Sequence, residues 1–123
     1  FMALKMKVEF EDGADVDSVM QKVIDNGATL EVCLTSNIQC RTENSYQEHP
    51  MKKLYDAGVK VTFNTDNQSI SNITLEDEYD HAINDLGFTY NDLILCNINS
   101  IECSFMPEED KPAYIEKLRS YLQ

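Results

Sequence analysis

Residues 29–37 read Thr-Leu-Glu-Val-Cys-Leu-Thr-Ser-Asn, and residues 59–67 read Val-Lys-Val-Thr-Phe-Asn-Thr-Asp-Asn. In each stretch, alternating apolar residues indicate a strand with one buried face, and polar residues follow where the strand should end. A short helical segment between the two stretches favours a parallel β-α-β arrangement, because parallel neighbours need a crossover connection. The apolar positions are Leu30, Val32 and Leu34 in the first stretch, and Val59, Val61 and Phe63 in the second.

A further strand and helix are predicted before these two stretches. Residues 4–10 alternate between apolar and charged side chains, which predicts a strand that ends at Asp12-Gly13. Apolar residues then recur at helical spacing from Val16 to Ile24, with Asp15 as the N-cap and Asn26-Gly27 as the C-terminal stop.

The remainder of the chain is predicted to be helical. Pro50 opens a short helix after a polar loop at 35–48, and Ala57-Gly58 closes it. Beyond residue 67, Thr74 and Thr89 are the predicted N-caps of two helices. One face of the second of these helices is predicted to carry Leu93, Asn97, Ile101 and Phe105. Pro107 is predicted to begin a last helix that carries Tyr121 and Leu122.

The predicted order is therefore β-α-β-α-β-α-α-α, an α/β arrangement of about three parallel strands with a helical C-terminus. We interpret residues 1–123 as a single domain or part of one. Residues 1–27 form a strand-helix leader, 28–73 contain the two quoted strands, and 74–123 form the C-terminal helices.

Composition restricts the partners and the compartment. The formal net charge is −12, which opposes nucleic acid binding because phosphates would be repelled. No stretch approaches the ~20 apolar residues of a membrane span, and we expect a cytoplasmic protein. The four cysteines contain no Cys-x-x-Cys pair, so we expect reduced core or boundary thiols and no structural zinc site.

Polar side chains at the ends of parallel strands are the candidates for chemistry, because such ends converge at one edge of the sheet. Ser36 and Asn37 follow the first quoted strand, and Asp66 and Asn67 follow the second. A carboxylate at such a place can be a metal ligand, a general base or the cap of the next turn. The residues alone favour the cap.

Several of these stretches resemble the adenosine deaminase family. Residues 29–37 are similar to the signature of the seventh barrel strand, and Asn64-Thr65-Asp66-Asn67 is similar to that of the eighth. The resemblance covers about residues 28–115 in the family's order, with these further matches: His49-Pro50, Leu54 to Val59, Ser71 to Leu75, Glu78-Tyr79, and Asn97 to Glu109.

The resemblance implies a (β/α)₈ TIM barrel and a zinc-dependent hydrolase of purine metabolism that converts adenosine to inosine and ammonia. Through it, Asp66 matches the carboxylate that coordinates zinc, which activates the attacking water. Asn67 falls where many members have an aspartate that hydrogen-bonds the purine. Ser36 and Asn37 are expected to shape the pocket floor.

The chain lacks other residues that the family requires: a His-x-His pair, a zinc-binding histidine with a nearby glutamate, and a hydroxide-orienting histidine. His49 is expected to have a local structural or capping role, and His81 to be a surface or boundary residue. Counting back from Leu30 by the family's approximate spacing places Glu9 roughly where the hydroxide-orienting histidine would lie. The sequence around Glu9 does not match the family. The chain is also about half as long as the ~250 residues of a complete barrel.

Two functional hypotheses follow, beside the alternative of an unrelated small α/β domain. The first is a C-terminal fragment of a deaminase that is inactive alone, has no zinc or binds it weakly, and needs a complementary barrel half. The second is a non-catalytic binding module that forms a homo-oligomer, because strands taken from a closed barrel expose their edges. Neither hypothesis involves nucleic acid or a membrane.

Overall fold

The computed structural model describes residues 16–123, and it contains a parallel pair of strands in that part of the chain. β1 (Thr29–Val32) pairs with β2 (Lys60–Phe63), with Thr29 opposite Lys60 and Val32 opposite Phe63. The parallel β-α-β prediction is confirmed for these strands. The strand predicted at 4–10, the Asp15 cap and the position of Glu9 lie outside the described residues.

Helices pack mainly against β2 of this pair of strands, and the described part of the chain contains more helices than the sequence pattern predicts. Two short helices that follow the strands, α2 and α4, are absent from that prediction. The helices are α1 (Val16–Asp25), α2 (Leu34–Gln39), α3 (Met51–Asp56), α4 (Gln68–Ser71), α5 (Leu75–Leu86), α6 (Tyr90–Cys103) and α7 (Lys111–Arg119). None of the helices in residues 16–123 is long and apolar enough to span a membrane.

The end of β1 corrects one prediction. The alternating pattern assigns Leu34 to the strand, but β1 ends at Val32 and Leu34 is the first residue of α2. Leu34 is completely buried, so its apolar character suits either assignment. Alternation over three positions does not distinguish a strand from a strand followed by a tight helical turn.

The start and end of the last helices also differ from the prediction. Helix α6 ends at Cys103, where the Ser104 hydroxyl donates to the Ile101 carbonyl at 2.8 Å. Phe105 is therefore outside the helix and fully exposed, at 107%. The last helix begins at Lys111 with Pro112 in its first turn, so Pro107 precedes it, and Tyr121 and Leu122 follow its end at Arg119.

The caps of α5 and α6 are confirmed. Thr74 accepts a hydrogen bond from the Asp77 N–H, and the Asp77 carboxylate accepts one from the Thr74 N–H. Thr89 and Asp92 form the same reciprocal capping box. Each box satisfies N–H groups that have no partner within the helix.

The core forms where the sheet meets α3, α5 and α6. Phe63 packs edge-on against Tyr79 and Phe88, with ring centroids 5.7 and 5.3 Å apart. All four cysteines are free thiols, as predicted. The prediction of core or boundary positions is confirmed for Cys96, which lies in this core, and for half-buried Cys33, and it is wrong for Cys40 and Cys103, which are exposed. The other fully or nearly fully buried members include Val32, Leu34, Met51, Leu54, Val59, Val61, Ala82 and Leu93.

Candidate functional site

The carboxyl ends of β1 and β2 bring two of the predicted residues into contact. Because Val32 is opposite Phe63, the segments that follow the two strands leave the sheet side by side. The Asn64 N–H donates to the Val32 carbonyl at 2.8 Å, which extends the strand pairing by one residue. Ser36 Oγ then donates to Asp66 Oδ2 at 2.8 Å.

Asp66 occupies an unusual backbone conformation. Its φ is +56°, in the left-handed region, which costs a residue other than glycine about 1–3 kcal/mol. Residues in such conformations cluster at functional sites, although Asp and Asn tolerate them better than most. The carboxylate is exposed, and Ser36 engages one of its oxygens.

Asn67, rather than Asp66, is the cap of the next helix. Its Oδ1 accepts a hydrogen bond from the Ile70 N–H at 3.1 Å, and its backbone is extended, as the N-cap of α4 requires. The capping role that the sequence allows for Asp66 is therefore performed by its neighbour. The Asp66 side chain does not cap α4.

Ser36, Asn37 and Asp66 line a common cleft of about 710 Å³, a volume within the range of small-molecule sites. Asn67 is not part of the lining. The cleft runs along β1 and reaches the end of α6. The remaining lining residues are Gly27, Thr29, Leu30, Glu31, Cys33, Cys103 and Phe105.

Cys33 is a lining thiol that is influenced by the candidate carboxylate. Burial raises its pKa to about 11, and the negative charges of Asp66 and Glu78 contribute to the increase. The thiolate is the form that attacks electrophiles and binds metals. Cys33 is consequently a protonated lining residue at neutral pH.

Asn37 is fixed by His49, which has the structural role that the sequence predicts. His49 is 4% exposed, and its Nδ1 accepts a hydrogen bond from the Met51 N–H at 3.2 Å in the first turn of α3. The side-chain amide of Asn37 lies 2.9 Å from Nε2. The amide nitrogen Nδ2 of Asn37 is the atom that faces Nε2, and the tautomer of the ring determines the donor and acceptor roles in this contact.

His81 lies at the surface boundary, as predicted. Its ring stacks on Tyr46 with centroids 3.7 Å apart and planes 6° from parallel, and its Nδ1 is 2.7 Å from Asp85 Oδ2. The contact attaches the 40–50 segment to α5. His81 does not line the cleft.

Glu78 is a buried group that the sequence pattern does not identify as part of the site. Its carboxylate accepts hydrogen bonds from the N–H groups of Leu34 and Thr35, at 2.7 and 3.0 Å, directly before Ser36. One signal is present in the sequence. Glu78 lies four residues before Ala82, so it shares the helix face that Ala82 buries in the core.

The described residues supply too few ligands for a complete zinc site. Within residues 16–123, no group of three or more His, Cys, Asp or Glu side chains is arranged to hold a metal. Zinc sites normally have at least three protein ligands. Asp66 can therefore provide one carboxylate to such a site, and the described part of the chain does not provide the others.

Comparison with protein families gives one match that covers most of the chain. The family described as adenosine deaminase matches residues 10–121. Among individual proteins, the chain is 38% identical over 104 residues to the adenosine deaminase of Lacticaseibacillus casei (strain BL23), and the alignment covers 85% of the chain. It covers 31% of that relative, so the chain spans about a third of the length of such proteins.

Solved structures show the same fold. The adenine deaminase from Arthrobacter aurescens has a TM-score of 0.81 and 23% identity, over 87% of this chain and 32% of its own. An amidohydrolase from Burkhoderia ambifaria, solved with bound Zn, has a TM-score of 0.76 and 22% identity, over 86% of this chain and 30% of its own. These similarities show that the described α/β arrangement occurs as part of larger solved structures.

Proposed function

This chain belongs to the adenosine deaminase family, and from that premise we propose that it provides the seventh and eighth strands of a deaminase (β/α)₈ barrel. In the complete enzyme, Asp66 is a zinc ligand and the substrate is adenosine, which is hydrolysed to inosine and ammonia. Ser36 and Asn37 form part of the pocket floor. Asn67, whose Oδ1 caps α4, has its amide Nδ2 left to hydrogen-bond the purine.

The contact between Ser36 and Asp66 is the observation that carries this proposal. A zinc ligand must keep one carboxylate oxygen directed at the metal, and a hydrogen bond to the other oxygen fixes its orientation. Ser36 Oγ bonds Oδ2 at 2.8 Å in a cleft of about 710 Å³. The pair lies at the carboxyl ends of parallel strands, where barrel enzymes have their active sites.

The chain alone is proposed to be inactive. It spans 31% of its Lacticaseibacillus casei relative, and Asp66 is one ligand where at least three are needed. The missing ligands and the catalytic acid and base must come from a complementary part of the barrel. That part is the partner we propose.

The direct test is complementation. The chain is produced together with the portion of the Lacticaseibacillus casei enzyme that it does not match, and inosine formation from adenosine is measured. We expect activity from the mixture and none from either part. The matched controls are Asp66→Ala, which should abolish activity, and Asn91→Ala, which alters a residue of α6 outside the cleft. An active Asp66→Ala mixture, or an active chain alone, would overturn the proposal.

A second candidate function is a non-catalytic module that self-associates. Phe105 favours it, since this side chain is fully exposed and lines the cleft together with the apolar side chain of Leu30, and burial of apolar surface is the main driving force of protein association. Light scattering across a range of concentrations tests it. We expect a dimer whose affinity is weakened by Phe105→Ser. The control variant Tyr90→Ser changes an exposed residue elsewhere and should leave the dimer unchanged. A chain that is monomeric at every concentration would contradict this second function.

A further inference from the structure

Glu78 is a completely buried carboxylate that connects two distant segments of the chain. It is 0% exposed, and its two oxygens accept the Leu34 and Thr35 N–H groups. These N–H groups belong to the first turn of α2, 44 and 43 residues earlier in the sequence. A side chain of α5 therefore caps a helix to which it has no local connection.

The charge of Glu78 is stabilised by the ends of two helices. Glu78 lies in the first turn of α5 and faces the first turn of α2, and helix N-termini carry partial positive charge. None of the ion pairs in the described residues includes Glu78. The carboxylate is thus oriented by peptide N–H groups rather than by a cationic side chain.

Helix α2 needs this external cap. It has six residues, and its N-cap residue, Cys33, makes no side-chain capping hydrogen bond. An isolated helix of this length is not stable. The Thr35 hydroxyl forms one further contact, at 3.0 Å from the Tyr46 hydroxyl, but no other side chain among the described residues accepts from the N–H groups of Leu34 and Thr35.

The position of α2 determines the site. Ser36 follows Thr35 directly, and its hydroxyl donates to Asp66. We propose that Glu78 is a positioning residue: by holding the first turn of α2, it places Ser36 so that the serine orients the Asp66 carboxylate. Its importance for catalysis rests on the proposed function, whereas the positioning itself is a property of this chain.

The test measures the side-chain carboxyl ¹³C resonance of Asp66 in the chain itself by NMR, because that resonance responds to hydrogen bonding at the carboxylate. Ser36→Ala removes the hydrogen bond directly and gives the reference shift. Glu78→Gln should move the resonance in the same direction, and the double variant should move it no further than Ser36→Ala. Asp92→Asn is the control, since it alters a capping carboxylate of α6 and should leave the Asp66 resonance unchanged.

Glu78→Asp is the second variant, in case Glu78→Gln prevents folding. The shorter carboxylate cannot reach both N–H groups, so an intermediate shift is expected, with amide hydrogen exchange at Leu34 or Thr35 accelerated about tenfold, as expected for a lost hydrogen bond. The proposal is overturned if either folded Glu78 variant has faster exchange at these amides and an unchanged Asp66 resonance.

The outcomes also separate this inference from the proposed function. An expected shift together with an inactive complemented enzyme counts against the proposed function alone. Active enzyme with no shift in the Glu78 variants counts against the positioning role alone.

Discussion

The hydroxyl of Ser36 donates a 2.8 Å hydrogen bond to the carboxylate of Asp66, across the ends of two parallel strands. The two residues are 30 positions apart, and the fold brings them together in the lining of the cleft. This contact leaves Asp66 Oδ1 to be used by a ligand. Its loss should affect the function of the site more than the stability of the fold.

We expect Ser36→Ala to lower kcat/KM of the complemented enzyme about tenfold, the value of a partly exposed hydrogen bond to a charged group. The free energy of unfolding of the chain should change by less than about 0.5 kcal/mol, because Ser36 is only half-buried and its partner Asp66 is exposed. Steady-state kinetics and urea unfolding provide the two measurements. Ser36→Thr, which retains a hydroxyl, should recover most of the activity, and an Ala variant with full activity would show that the contact is unimportant.

Glu78→Gln should be strongly destabilising. The amide keeps one acceptor oxygen but directs an NH₂ group at the second N–H of α2, which leaves a buried donor without a partner at a cost of about 2–3 kcal/mol. Glu76→Gln makes the same chemical change two residues earlier, on the exposed face of α5, and it should change stability by less than about 0.5 kcal/mol. Urea unfolding of both variants checks this, and equal midpoints for the two would contradict it.

The sequence predicts those features that depend on neighbouring residues. Thr74 and Thr89 are identifiable as caps because each capping box is closed within four residues. The convergence of Ser36 and Asp66 also follows from the sequence, since the two strands are parallel and the residues that follow them lie at the same edge of the sheet.

The features that the sequence does not predict depend on tertiary contacts. The alternating pattern assigns Leu34 to a strand because its burial suits both states, and the carboxylate that caps its helix lies 44 residues away. Helix α4 contains four residues and is fixed by the Asn67 cap, so it has no periodicity to detect. The exposure of Phe105 depends on where α6 ends, and helix ends are the least predictable part of a helix.

His49 should make the stability of the chain depend on pH. Burial is the main cause that lowers its pKa from 6.5 to about 4 in the folded chain. The unfolded state then binds more protons between those values, so stability is fully present above about pH 6.5 and decreases as the pH falls toward 4. The decrease assigned to His49 is at most about 3 kcal/mol, because a tenfold difference in proton affinity between the two states corresponds to about 1.4 kcal/mol.

His49→Asn isolates this contribution. The Asn oxygen can accept the Met51 N–H in place of Nδ1, and the side chain does not titrate. At each pH, we take the difference between the unfolding free energies of the variant and the wild type. Carboxylates that titrate in both proteins cancel in this difference. We expect this difference to change between pH 6.5 and 4 for His49→Asn, and a difference that stays flat over this range would rule out the assignment.

Asp66 should control zinc binding by the complemented enzyme and not by the chain alone. The chain offers one carboxylate at the site, whereas zinc sites normally need at least three protein ligands, so metal analysis of the purified chain after dialysis should find far less than one equivalent.

Removing the hydrogen-bond partner of a metal ligand typically weakens metal binding by about 10–100-fold, and the effect of Ser36→Ala on zinc binding by the complemented enzyme should fall in this range. Asp66→Asn removes the ligand itself and should weaken binding by more than Ser36→Ala does. Asn67→Ala, next to Asp66 but committed to the α4 cap, should retain zinc. Zinc bound at one equivalent by the chain alone, or equally well by Asp66→Asn and wild type, would show that Asp66 is not the ligand.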